Sequence, residues 1–137
     1  MSVASEANQV ANPVQCPAPF TQYSFIAPPE TVTIGAGEKL VAVSSAALGS
    51  TASGGAQGLD ITLCIQNSTP GSPIQFIIDG MFGLTVSQNQ RTVFSVNGSA
   101  TGLTAGNYTV GLCGCSNADA SKWNNNDFGQ TTAFVTK

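Results

Sequence analysis

From residue 23 onward, apolar and polar positions alternate in short runs with a period of two. In GLDITLCIQN, Leu59, Ile61, Leu63 and Ile65 fall on one side and Asp60, Thr62, Cys64 and Gln66 on the other, the spacing of a strand with one buried face. In LTAGNYTVGLC, Tyr108, Val110 and Leu112 alternate with Thr109, Gly111 and Cys113 in the same way. Thr92, Phe94 and Val96 form the apolar side of another run, which ends at Asn97-Gly98. Shorter β-rich runs cover 23–26, 31–34 and 39–44, and QTTAFVTK closes the chain. No segment longer than about ten residues keeps a helical period.

Turn residues separate these runs. Those at 74–78 and 81–86 flank Asp79-Gly80, a pair suited to the positive φ values of a type I′ turn, and so predict a hairpin. The Gly/Ser stretch GSTASGGAQG, 49–58, lacks an apolar anchor and reads as a mobile surface loop. Residues 1–19 are polar and hold Pro13, Pro17 and Pro19, the composition of an extended arm. The expectation is one all-β domain over 20–137, a Greek-key β-sandwich of about nine strands, jelly-roll-like, with an immunoglobulin-like sandwich as the alternative. A chain of 137 residues is long enough to bury one core of its own.

Leu103-Thr104-Ala105-Gly106-Asn107-Tyr108 resembles a tyrosine corner, the Leu-x-x-Gly-x-Tyr arrangement of Greek-key sandwiches in which the phenol bonds back to nearby backbone. Immunoglobulin domains place a cysteine two residues after that tyrosine. Here Cys113 follows it by five, and Cys64 and Cys113 both lie opposite the apolar sides of their strands rather than in the core. From TVTIGAGEKLVAVSSAALGS through GLDITLCIQ to GLTAGNYTVGLCG, the texture is more similar to the jelly-roll and related sandwich modules of secreted bacterial proteins and phage fibres.

Charge narrows the choice of partner. Charged residues make up 8% of the chain against 42% apolar, and the net charge is −3. Lys39, Arg91, Lys122 and Lys137 form no basic cluster, which argues against nucleic acid and against docking on anionic lipid. No apolar run reaches the ~20 residues that span a bilayer. The opening MSVASEANQV does not have the pattern of a signal peptide. Low charge, Thr/Ser/Gly-rich strands and an even number of cysteines fit an oxidising setting, extracellular or on a cell or virion surface.

Cys113 and Cys115 could be read as a redox or metal motif, but the chain has no histidine, and Cys16 and Cys64 stand alone. Two structural disulfides are expected instead: Cys64 with Cys113, two mid-strand residues on faces of the same kind, and Cys16 with Cys115, fixing the arm. Without histidine there is no ordinary triad base, and the carboxylates show no paired motif. An enzyme is not expected; a glycoside-hydrolase-like site would need carboxylates brought together from distant strands.

The richest chemistry lies in 111–129, GLCGCSNADASKWNNNDFG. Trp123, Asn124, Asn125, Asn126 and Asp127 combine an aromatic ring with amides and a carboxylate, the groups that bind sugars by stacking and hydrogen bonding. The same residues would equally cap one end of the sandwich, with the asparagines satisfying turn geometry. Asp119, Asn124, Asn126 and Asp127 also offer oxygens to calcium, without the spacing of an EF-hand loop; no other cofactor is expected. Asn67, Asn97 and Asn107 begin glycosylation sequons. Three functions follow in order of preference: a non-enzymatic structural or adhesive module that associates with itself, a lectin-like module that binds glycans through the Trp123 loop, and a hydrolase.

Overall fold

The computed structural model describes residues 2–16 and 23–137. Ten strands carry the fold: β1 (Ser2–Gln9), β2 (Ser24–Phe25), β3 (Glu30–Ile34), β4 (Lys39–Ser50), β5 (Ala56–Asn67), β6 (Ile74–Phe76), β7 (Met81–Val86), β8 (Gln90–Ala100), β9 (Gly106–Ser116) and β10 (Phe128–Thr136). One turn of 3-10 helix, Ala120–Lys122, lies between β9 and β10.

The strands form two antiparallel sheets. One runs β1-β10-β4-β8; the other centres on β9 and β5, with β2 and β3 along one side and β6 and β7 along the other. The alternation read from the sequence explains the sandwich. Leu40, Ala42, Ala46 and Leu48 of β4 and Ala133 and Val135 of β10 face Leu59, Ile61, Leu63 and Ile65 of β5 and Val110 and Leu112 of β9, all buried in one core. Tyr108 donates its phenol proton to the Thr104 carbonyl at 2.9 Å, closing the tyrosine corner.

The arm expected over 1–19 is corrected in its first part. Residues 2–9 are a strand, paired with β10 from Ser2↔Val135 to Gln9↔Phe128. An edge strand needs backbone pairing on one side only, so a polar segment forms one without marked apolar alternation. Residues 10–16 then cross to the other sheet, the Ala11 N–H donating to the Ile26 carbonyl and the Cys16 N–H to that of Ser116. Positions 17–19 fall outside the described residues.

The hairpin at Asp79-Gly80 is also corrected. β6 and β7 do not pair with each other; both pair with β5 as successive pieces of one edge, Phe76 opposite Cys64 and Met81 opposite Ile61. Between them the chain turns inward, where Thr62 donates to the Ile78 carbonyl at 2.7 Å and the Ile77 N–H to the Leu63 carbonyl at 2.8 Å. Gly80, at φ +87°, lies against the Ile61 carbonyl, where a side chain has no room. The Asp-Gly pair therefore serves a kink within one edge.

The stretch 49–58 is not a free loop. β4 extends to Ser50 and β5 starts at Ala56, leaving a short connection in which the Gly55 N–H donates to Ala52. Gly49 touches the Gln90 and Asn125 backbones, so small residues here permit close approach.

The disulfides join Cys16 to Cys115 and Cys64 to Cys113. Cys64 and Cys113 lie on neighbouring strands of one sheet, β5 and β9, where Thr62 stands opposite Cys113. Their bridge does not cross the core, which sets the immunoglobulin-like alternative aside.

Candidate functional site

The Trp123 loop folds inward, against the expectation of a sugar platform. Trp123 is 1% exposed; its ring meets Phe94 edge-on at 6.3 Å, and its indole N–H donates to the Gln57 carbonyl at 3.3 Å. No face of the ring is open to stack on a ligand. The flanking amides are engaged as well. Asn124 Oδ1 accepts from the Thr51 N–H at 2.9 Å, and Asn126 Oδ1 accepts from the Gly49 N–H at 3.1 Å. Asn126 Nδ2 donates to Asn12 Oδ1 and to the Trp123 carbonyl.

Arg91 holds the other side of this loop. Its Nε and Nη2 donate to the carbonyl and side-chain oxygens of Asn125, and its Nη1 lies 2.7 Å from Asp127 Oδ2. That ion pair is well exposed and adds little by itself. Its geometry nevertheless fixes the loop to β8. The loop closes one end of the sandwich because its polar groups satisfy the backbone of the β4–β5 connection, the capping role the sequence also allowed.

The calcium ligands are not assembled. Asp119 caps the 3-10 helix, accepting from the N–H and hydroxyl of Ser121, and these bonds hold its carboxyl below the usual carboxylate range. Asn124, Asn126 and Asp127 bond elsewhere, as described. Among the described residues no three His, Cys, Asp or Glu side chains are grouped to hold a metal.

The outward face of β5 and β9 is sealed. Cys64, Cys113 and Cys115 pack with Tyr23 in a second buried cluster, joined by Cys16, Phe25 and Ile74. The Tyr23 ring lies 4.7 Å from that of Phe76. Asp60, 6% exposed, accepts from the Gly83 N–H at 2.9 Å and from the Asn117 amide. Burial, and after it the charge of Asp60, push the Tyr23 phenol above its ordinary range.

The four-stranded sheet leaves its outer face open. Register places Phe134 beside Val41 and Thr132 beside Val43 across β10 and β4; across β4 and β8, Val43 meets Asn97, Ser45 meets Ser95 and Ala47 meets Val93. Val41, Val43, Val93 and Phe128 are exposed, the last two at 68% and 62%. No charged side chain interrupts positions 41–47, 93–99 or 128–134. At one end a shallow cleft of about 270 Å³ is lined by Ser45, Ala47, Val93, Phe128, Gly129 and Gln130.

Sequence reasoning missed this face. Its signal was the run LVAVSSAAL, 40–48, which is apolar or small at both parities. Such a run suggests burial on both faces, and the structure buries only one. Comparison of the chain with known protein families and with characterised proteins finds no match.

Proposed function

We propose that this domain is a non-enzymatic structural or adhesive β-sandwich module, extracellular or on a cell or virion surface, that works by associating with further copies of itself. The observation that carries the reading is the uncharged outer face of the β1-β10-β4-β8 sheet with Val41, Val43, Val93 and Phe128 exposed on it. The two disulfides support an oxidising setting. The strand order adds support: with β2–β3 and β6–β7 each counted as one interrupted edge, eight strands change sheet at every step but the one from β5 to β6–β7, as in a jelly roll, an architecture common in capsids and lectins. Architecture alone assigns no activity.

Sedimentation velocity over a concentration series tests the reading. The wild type is expected to show a rising average mass, and Val43→Lys, which sets a charge in the middle of the face, is expected to lower it. A wild type that stays monomeric at every concentration overturns the proposal.

A glycan-binding reading has one observation in its favour, the exposed Phe128 ring beside Ser45 and Gln130 in the cleft. An aromatic face next to a hydroxyl and an amide suits a sugar. A glycan array with wild type and Phe128→Ala separates the two readings: glycan hits lost in the variant favour this one.

A further inference from the structure

Of the sandwich's four sheet edges, three carry the usual obstacles to further pairing. The β2–β3 edge is interrupted by Pro28-Pro29, the β6–β7 edge is broken at 77–80 and shifts register along β7, and β1 contains Glu6. β8 has neither a break nor an acid. It runs 11 residues, pairs with β4 from Ser50↔Gln90 to Leu40↔Ala100 without a bulge, and has no strand on its other side among the described residues. It contains no proline, lysine or acid; its one charge, Arg91, sits near an end and is paired with Asp127.

We propose that the free edge of β8 pairs antiparallel with β8 of a second copy of this chain, joining two four-stranded sheets into one eight-stranded sheet. The inference rests on the self-association proposed above and adds a second contact surface to the outer face. A second copy fits because the strand is compatible with itself under a two-fold axis. Centred on Ser95, the pairing sets Phe94 against Val96 and Val93 against Asn97; centred on Val96, it sets Phe94 against Gly98 and Ser95 against Asn97. In either register inward side chains stay inward, because the faces alternate with period two. The two Arg91 side chains lie at opposite ends, so no like charges meet. The outer row Val93, Ser95, Asn97 and Ser99 then continues uncharged across the junction.

The contact is small. A strand of this length spans about 37 Å, and with a sheet depth of roughly 10 Å it covers on the order of 400 Å² on each copy. That is the weak end of specific interfaces, so main-chain hydrogen bonds carry the pairing and the dimer depends on concentration.

Amide hydrogen exchange by NMR at low and high protein concentration tests this. Alternate β8 amides, those directed away from β4, are expected to exchange at least about tenfold more slowly in the concentrated sample. The gain should persist in Val43→Lys and vanish in Ser95→Lys/Asn97→Lys, whose side chains are exposed and leave the β4 ladder intact. Association without added protection in β8 overturns the edge pairing alone and leaves the proposed function standing. A monomer at all concentrations overturns both. Protection that appears only on adding an unrelated extended peptide also overturns the assignment of a second copy.

Discussion

The backbone N–H of Leu112, in the middle of one sheet, donates to the hydroxyl of Ser44, in the middle of the other, at 3.0 Å. The bond exists because β2 stops opposite Cys113 and β3 starts opposite Val110: between them the Ile26 and Ala27 N–H groups both donate to the Leu112 carbonyl, which leaves a gap in the ladder at the Leu112 N–H. Ser44 fills it from across the core, and its oxygen also lies 2.7 Å from the Thr131 hydroxyl. A break that protects an edge is thus compensated inside the sandwich.

Ser44→Ala removes the partner of two buried polar groups at once. Each unsatisfied group costs about 1–3 kcal/mol, so the variant should lose about 2–6 kcal/mol of unfolding free energy in urea. A loss below about 1 kcal/mol would mean that water takes the place of the hydroxyl.

Trp123→Ala should cost about 3–5 kcal/mol, as expected for deletion of a buried aromatic ring. Since Trp123 is the only tryptophan, its fluorescence in the wild type should be blue-shifted and move to the red only in the unfolding transition. A variant that keeps wild-type stability would contradict the capping role.

Replacing Cys16 and Cys115 together with serine opens a closure of 99 residues. For a loop near that length, chain entropy alone gives about 4.7 kcal/mol, and removal of native bridges typically costs 2–5 kcal/mol. The melting temperature should fall markedly while the far-ultraviolet β signal at low temperature survives, since Cys64–Cys113 remains. An unchanged melting temperature would show that this bridge does not stabilise the fold.

The Tyr23 phenol is raised in the folded state, by burial first and by Asp60 second. The folded protein therefore holds its proton more tightly than the unfolded chain does. Its contribution to stability is complete below the unfolded phenol value, about 10, and is lost as pH rises from there through the folded value. Unfolding free energies measured from about pH 9 upward should fall more steeply for the wild type than for Tyr23→Phe. Equal slopes would refute the linkage.

What could be read from the sequence was local. The alternation in 59–66 and 108–113 identified two central strands, and the parity of Cys64 and Cys113, facing away from the core, indicated the bridge between those strands. The tyrosine corner was legible because its hydrogen bond spans four residues. What misled was decided at a distance. Asp79-Gly80 has the local chemistry of a hairpin, yet β5 pairs with both flanking segments and converts the turn into a kink. Trp123 among asparagines has the same composition whether the ring faces a ligand or Phe94. The open outer face of β4, β8 and β10 depends on strand order, which no single run of residues encodes.

β10, made last among the described strands, occupies an interior position between β1 and β4, two of the first. During synthesis, then, the sheet has a vacancy through its middle until 128–136 emerge, and β1 has nothing to pair with before that moment. Such non-local closure is slow to find and leaves the core side of β4 and β8 wet in the meantime. Completion should therefore be a single late event rather than a growth from one end. Until β10 is in place the four-stranded sheet exists only as its β4–β8 pair, and one strand both completes that sheet and attaches the start of the chain to it.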